Sequence, residues 1–379
     1  MKESIPNSWI WQHADWPGFR WRLEQLQVRL SEVNKSMGVL LGRMGNFHLG
    51  IDSESALDTL LQNILTSSAI EGETLNAASV RSSLAKRLGI SAESPIPVSS
   101  KTEGLAELML DAIQNCQQPL SLVRLEQWHH WLFPDDQPRL IHLRVGQLRG
   151  EDPMQVDSGR IDNPRLHFEA PPKAVLEYEL AQFINWFNQP ANHATDPLIR
   201  AAITHLWFVT LHPFDDGNGR ITRALTDMAL AQADAQSIRL FAMSSSILDK
   251  RADYYRILEQ TQRSDLDITD WIIWFLETLS QSLQKANTLT DATLNKKRFW
   301  QTFAQENFSL EQRKVLNRLL NGGEKGFEDG ISAAQYQKVA QVSKASATRH
   351  LTDLLNKGCL QKTASGGRST RYKINSVFL

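Results

Sequence analysis

The sequence predicts a mainly α-helical protein with three regions: an N-terminal Trp-rich and helical region (1–98), a helical core with a small β-hairpin (99–295) and a C-terminal winged helix-turn-helix (305–379). Three observations support this prediction. Apolar residues recur at three- and four-residue spacing through most of the chain, as in amphipathic helices. No glycine or proline occurs between Ile221 and Asn321, so that stretch contains no helix breaker. The last region has the order helix, helix, helix and basic hairpin, which is typical of a winged helix.

The N-terminal region begins with tryptophans around a Pro-Gly turn, at Trp9, Trp11, Trp16 and Trp21. We interpret them as an aromatic packing platform rather than as a ligand-binding aromatic box. The segments 22–44 and 54–75 carry the spacing of two amphipathic helices. Pro95 and Pro97 then predict a loop before the core.

Composition and charge exclude several classes of protein. The hydrophobic content of 41% is ordinary for a globular protein, and the net charge of -1 gives no overall attraction to nucleic acid or to an anionic membrane. No apolar run approaches the roughly 20 residues that a spanning helix needs. Cys116 and Cys359 lie far apart and form no metal-ligand cluster. We expect a cytoplasmic protein without a membrane partner.

The core contains the stretch "LHPFDDGNGRITR", residues 211–223. An apolar helical run precedes it, glycines and Asn permit a tight turn within it, and helical spacing resumes after it. The start of the second helix gathers backbone N–H groups, which favour an anion. Four side chains complete a predicted nucleotidyl- or phosphoryl-transfer site. His212 is the candidate general base and Asp216 the candidate Mg²⁺ ligand, and Arg220 and Arg223 are expected to bind phosphate. His205, two turns earlier, is expected to be a packed histidine.

These residues resemble the motif of the Fic (filamentation induced by cyclic AMP) domain family. The segment 145–172 is similar to the flap hairpin of that family, and "DYYRILEQ", residues 253–260, is similar to its adenine-flanking segment. The resemblance covers roughly residues 100–290 and implies a Fic-fold helical bundle. Most members transfer AMP from ATP to a hydroxyl of a target protein and release pyrophosphate.

The resemblance assigns a role to each matched position. His212 would deprotonate the target hydroxyl, Asp216 would hold Mg²⁺, and Phe214 would anchor the loop. Arg220 would contact the α/β region of ATP, and Arg223 the γ-phosphate. The remaining nucleotide-binding residues are Gly217, Asn218 and Gly219 around the phosphates and Tyr254 and Tyr255 beside the adenine. The flap would hold an unknown target protein by strand addition.

An upstream segment, "SSAIEG" at residues 67–72, resembles the inhibitory motif of the same family. Ser67 and Glu71 lie four residues apart, on one helix face, and Gly72 is placed to end the helix. Glu71 would pair with Arg223 and remove it from the γ-phosphate. Ser67 would steady Glu71 or the helix.

The C-terminal region carries the basic patch that the whole chain lacks. From Arg313 onward there are twelve Lys/Arg against four Asp/Glu. We predict a DNA-binding module, with a protein-contact or dimerisation module as the alternative. The candidate DNA contacts, on the recognition helix and the wing, are Lys344, Ser346, Arg349, Arg368 and Arg371.

Three functions are compatible with the sequence. The first is an AMP transferase that acts on a target protein and on itself, restrained by Glu71. The second uses the same site to remove AMP, with Glu71 orienting a water, or to transfer another phosphate-containing group. The third is a DNA-binding regulator in which this site senses ATP. The oligomeric state stays open, with a homodimer as one option.

Overall fold

The computed structural model describes residues 8–45, 53–90, 97–135, 143–160, 163–189, 195–234, 241–321, 327, 330–363 and 370–378. The predicted mainly α-helical class is confirmed. The chain forms two compact units, the first extending to Gln284 and the second beginning at Lys285. The sequence instead placed the end of the core at residue 295. The difference arises because the helix Thr269–Thr302 runs without a break through this division.

The first unit contains the predicted helices of the N-terminal region together with those of the core. The helices, in chain order, are α1 Leu23–Gly45, α2 Ser53–Ile70, α3 Ala77–Leu88, α4 Ser100–Gln114, α5 Leu122–Leu132, α6 Lys173–Asn188, α7 Pro197–Leu211, α8 Asn218–Asp234, α9 Met243–Asp249, α10 Arg251–Gln262 and α11 Thr269–Thr302. α2 packs against α3, α4, α8 and α9, so residues 1–98 do not form a separate compact body.

Two central helices, α7 and α8, carry the motif at their junction. α7 begins where the Asp196 carboxylate accepts from the Leu198 N–H, with Pro197 in the first helical position. From Leu198 to Leu211 nearly every side chain is buried, so α7 forms the middle of the core. His205 is fully buried, which confirms it as a packed histidine.

The predicted hairpin consists of β1 Gln155–Arg160 and β2 Asn163–Glu169, paired antiparallel with an irregularity between Val156 and Asp157. β2 lies against α10. Both strands therefore belong to the first unit, which also contains the motif.

The second unit has the predicted order of elements: α12 Leu310–Leu320, α13 Ala333–Ala340, α14 Lys344–Asn356, then β3 Leu360–Lys362 and β4 Tyr372–Ile374, which pair antiparallel. Its own core includes Val315, Tyr336 and Leu351. Of the helices in the described part of the chain, none is both long and apolar enough to cross a lipid bilayer.

Candidate active site

His212 ends α7 in a left-handed backbone conformation, with φ of 48°, that is uncommon for residues other than glycine. Its N–H donates to the Phe208 carbonyl, and its own carbonyl accepts from Arg149 Nε at 2.8 Å. Nδ1 lies 3.1 Å from the Val209 carbonyl oxygen. Because a carbonyl only accepts, Nδ1 carries the proton and Nε2 presents its lone pair.

The pKa of His212 is lowered from its ordinary value. Burial is the main cause, and the nearby Arg149 guanidinium lowers it further, against the opposing Val209 carbonyl. A lowered pKa keeps the imidazole neutral at pH 7. His212 is thereby suited to accept a proton.

The loop after His212 is held by Asn218, whose side chain is buried. Its Nδ2 donates to the Phe214 carbonyl at 2.7 Å and its Oδ1 accepts from the Phe214 N–H at 3.0 Å. Phe214 is fully buried and stacks on His129, with ring centroids 4.4 Å apart. The side chain of Asn218 therefore closes the loop, and only its backbone is left for a phosphate.

We expect Asn218→Ala to lower the free energy of unfolding by about 2 kcal/mol, because it leaves a buried N–H and a buried carbonyl of Phe214 without their partner. Urea unfolding followed by circular dichroism measures this. Asn115→Ala removes a solvent-exposed hydrogen bond to Asp111 and should cost less than about 0.5 kcal/mol. Equal losses in the two variants would contradict the loop-closing role.

His129 positions the acidic end of the loop. Its Nδ1 accepts from the Gly146 N–H at 2.9 Å, so Nε2 carries the proton and donates to the Asp216 carbonyl at 3.2 Å. Burial lowers the pKa of His129 to about 4. Gly217 has φ of 79°, and a side chain there would also meet the Phe133 ring at 2.8 Å. The turn thus requires glycine for two reasons.

α8 begins directly after this turn, and its first helical bond runs from the Ile221 N–H to the Gly217 carbonyl. The N–H groups of residues 218–220 precede that bond, so by helix geometry they point out of the helix start. The predicted anion-binding start of a helix is therefore present. A side chain at Gly219 would collide with Glu71 Oε1, which places the Glu71 carboxylate against this helix start.

Arg223 is 3% exposed and binds residues at the C-terminal end of α2. Its Nη2 lies 2.8 Å from Glu71 Oε1, and its Nε donates to Ser67 Oγ at 2.9 Å. The Ser67 carbonyl also accepts from Nη2. Burial would raise the pKa of Glu71, but Arg223 and then Arg220 outweigh it and hold this pKa below its usual range. The structure brings the predicted pair together, and Ser67 contacts Arg223.

Glu71 reaches this position because α2 ends at Ile70 and the chain turns sharply. The Glu73 N–H donates to the Ser68 carbonyl, and the Gly72 N–H donates to the Ala69 carbonyl. Gly72 has φ of 80°, as in a Schellman ending. Glu71 thus projects from the end of the helix rather than from its side.

Arg220 has its own carboxylate partner, Glu73, which the sequence analysis did not identify. Arg220 Nη1 lies 3.0 Å from Glu73 Oε2, and Glu73 also pairs with Lys101. The Arg220 guanidinium covers the Phe133 ring at 5.0 Å. The sequence signal for Glu73 was its position as an acidic residue two places after Glu71. Because Arg220 is distant from Glu73 in the chain, residue spacing could not predict that they pair.

The two tyrosines of α10 have different environments. Tyr254 is 2% exposed, and its hydroxyl lies 2.9 Å from His205 Nε2. This burial argues against the predicted contact of Tyr254 with a nucleotide; the side chain supports the core behind Arg223 instead. Tyr255 is exposed, with its hydroxyl 3.4 Å from Glu71 Oε2, and remains a candidate nucleotide contact.

Asp216 is the predicted metal ligand, and its side chain is 65% exposed, 3.9 Å from Arg220 Nη2. No group of three or more His, Cys, Asp or Glu residues suited to a metal occurs within the described ranges. Mg²⁺ is commonly bound through one or two carboxylates together with substrate phosphates. One exposed carboxylate beside a helix start suited to an anion fits that mode.

The hairpin is joined to the motif by Arg149, a second residue that the sequence analysis did not identify. Arg149 is 1% exposed. Besides the His212 carbonyl, it donates to the Pro171 carbonyl at the foot of β2, and its N–H donates to the Pro213 carbonyl. The loop after His212 and the base of the hairpin therefore share one buried guanidinium.

The predicted DNA contacts lie in the second unit. Lys344 and Arg349 are exposed on α14, and Ser346 is half-buried. Arg371 donates to the Gly330 carbonyl at 2.9 Å, so it is already engaged within the unit. Arg368 lies outside the described residues.

A neutral histidine, a helix start suited to an anion and two buried arginines lie together at the end of α7, an arrangement suited to phosphate transfer. The family comparison agrees with this class. Residues 119–230 match the model of the Fic/DOC family, so the chain carries a Fic/DOC domain. Residues 9–90 match a domain of unknown function, DUF4172.

Two curated relatives are named protein adenylyltransferase fic-1. The protein from Caenorhabditis briggsae is 32% identical over 202 residues, which are 52% of this chain and 36% of the relative. The protein from Caenorhabditis elegans is 30% identical over 202 residues, with the same two shares. The chain thus spans about a third of the length of these relatives (36%). A Fic family protein from Desulfovibrio desulfuricans G20 aligns with a TM-score of 0.49 and 17% identity, over 91% of this chain and 96% of that chain.

Proposed function

We propose that this protein is a protein adenylyltransferase, which transfers AMP from ATP to a side-chain hydroxyl of a target protein and is restrained by Glu71. The observation that carries the proposal is the arrangement at the start of α8. Glu71 holds Arg223 at 2.8 Å and lies against Gly219, where phosphates would bind. The similarity to adenylyltransferases over the catalytic half supports the same reaction.

The reaction follows from the groups present. His212 Nε2 takes the proton of the target hydroxyl, and the hydroxyl oxygen bonds to the α-phosphorus of ATP. The bond from that phosphorus to the bridging oxygen breaks, and pyrophosphate leaves. Arg220 and Arg223 balance the phosphate charge once Arg223 is released from Glu71. Asp216 would hold Mg²⁺, which neutralises phosphate charge when bound.

The target protein would add a strand to the hairpin. On β2, the carbonyls of Leu166 and Glu169 already accept from Arg263 and Trp11. We therefore place the added strand on β1. Main-chain pairing of this kind depends little on target side chains, so it leaves the identity of the target open.

The deciding experiment incubates the Glu71→Gly protein with Mg²⁺ and ATP labelled at either the α- or the γ-phosphate. The proposal predicts protein-bound label from the α-position only. Label from the γ-position would indicate phosphorylation, and no label from either would reject transfer to the protein itself.

Removal of AMP is a second candidate, because the Glu71 carboxylate lies against the phosphate-binding helix start and could orient a water there. Protein that has been modified by the Glu71→Gly form is the substrate for this test. Loss of AMP on adding wild type, but not Glu71→Gly, would favour removal as the main reaction.

DNA binding by the second unit is an independent proposal, supported by exposed Lys344 and Arg349 on α14. Binding to duplex DNA should weaken steeply as salt rises. If no complex forms at low salt, the unit serves another purpose.

A further inference from the structure

The N-terminal Trp segment, residues 8–22, contacts the hairpin through two tryptophans. The Trp9 ring lies edge-to-face on Phe168 of β2, with centroids 5.3 Å apart. Trp11 Nε1 donates to the Glu169 carbonyl at 2.8 Å. The segment thus holds both a side chain and a backbone carbonyl at the end of β2.

Arg263, the residue that follows α10, contacts both the N-terminal Trp segment and β2. Its guanidinium covers the face of Trp9 at 4.5 Å. It donates from Nη2 to the Leu166 carbonyl at 2.6 Å and from Nε to the His167 carbonyl at 3.3 Å. Trp9 therefore restricts a guanidinium that is bonded to two successive carbonyls of β2.

The N-terminal Trp segment is itself fixed to the first unit. Ile10 is fully buried, and His13 Nε2 lies 3.2 Å from the Ser264 carbonyl. Arg20 forms two backbone hydrogen bonds with the chain just before α11. Its N–H donates to the Leu266 carbonyl, and its carbonyl accepts from the Ile268 N–H. The segment is therefore held in place and can restrict the movement of β2.

A two-stranded hairpin has little stability of its own, so its position depends on what holds it. At its base, Arg149 bonds the carbonyls of both His212 and Pro171. Farther along β2, the contacts come from Trp9, Trp11 and Arg263. Arg165 and His167 of β2 also contact Glu259 of α10. Together these attachments hold the hairpin relative to His212.

We propose that the N-terminal Trp segment, the first part of the domain of unknown function, is a positioning element that braces β2. The bracing itself is independent of the proposed function. Its purpose rests on that function: a target strand laid on a fixed hairpin presents its hydroxyl at a fixed distance from His212.

Hydrogen–deuterium exchange of the full chain tests the brace. In Trp9→Ala, amides of β2 should exchange about tenfold faster, because the edge-to-face and cation–π contacts are lost, while amides of α7 and α8 keep their protection. Trp11→Phe, which removes the N–H donor and keeps an aromatic ring, should show a smaller change in the same strand. Trp9→Phe should restore most of the protection of β2.

Trp16→Phe is the matched control, because Trp16 donates to Glu179 and packs on Trp207 rather than on the hairpin. It should leave β2 unchanged. Unchanged exchange of β2 in Trp9→Ala would overturn the brace, and so would an equal increase throughout α7 and α8. The affinity for a non-hydrolysable ATP analogue, measured in the Glu71→Gly background, should be the same with and without Trp9→Ala; a loss would assign Trp9 to general stability. Failure of Glu71→Gly to become labelled from α-labelled ATP would reject transfer to the protein itself and leave this result standing.

Discussion

Glu71→Gly should raise nucleotide affinity and AMP transfer by roughly 10- to 100-fold, the equivalent of about 1.4 to 2.8 kcal/mol. In the proposed reaction, ATP displaces in the wild type a carboxylate that lies 2.8 Å from Arg223 and against Gly219. A charge-assisted hydrogen bond is worth about 1.5 to 3 kcal/mol, and its loss removes that competition. Arg223 keeps its bonds to Ser67, so the guanidinium stays in place. Isothermal titration with a non-hydrolysable ATP analogue, together with the α-label assay, measures both effects.

Glu107→Gln is the control for this experiment. It removes another Arg–carboxylate pair, with Arg87 at 2.7 Å, on α3 and α4. Neither affinity nor transfer should change in that variant. If Glu71→Gly binds and transfers no better than wild type, Glu71 is not a brake and the pair with Arg223 is structural.

His212→Ala, made in the Glu71→Gly background, should reduce AMP transfer by about 10²- to 10⁴-fold, the usual contribution of a general base. Nucleotide affinity should stay within a few fold, because the helix start and both arginines remain. Initial rates of α-label transfer and the titration above separate the two quantities. A comparable loss of affinity would mean that His212 supports the loop rather than the proton transfer.

The pH dependence of the AMP-transfer rate is a second test of His212 as the general base. Its pKa is lowered by burial, so the neutral base persists below the ordinary histidine value of about 6.5. The transfer rate should stay level from pH 8 down through about 6.5 and fall only at lower pH. A fall that is centred at or above pH 6.5 would assign the titration to another group.

Much of the fold followed from local patterns. The spacing of apolar residues predicts α1 and α2, and the absence of glycine and proline between Ile221 and Asn321 agrees with the long helix α11. The hairpin was expected from the similarity of residues 145–172 to the flap of the Fic family. The domain limits were less predictable, because α11 continues through residue 284 without any breaking residue. The aromatic segment was predicted to pack, but its contact with β2 joins residues 158 positions apart.

The sequence by itself determined the chemistry available at the motif. A histidine at a helix end, a glycine turn and arginines on the next helix are local features, and local geometry follows from residue type and spacing. Only the tertiary structure showed which of these groups form ion pairs or hydrogen bonds with each other and with the rest of the chain. It paired Arg220 with Glu73, placed Arg149 under the His212 carbonyl, closed the loop with the Asn218 side chain and buried Tyr254. The physical reason is that an ion pair or a buried hydrogen bond depends on a few ångströms between elements distant in the chain, which spacing along one element does not specify.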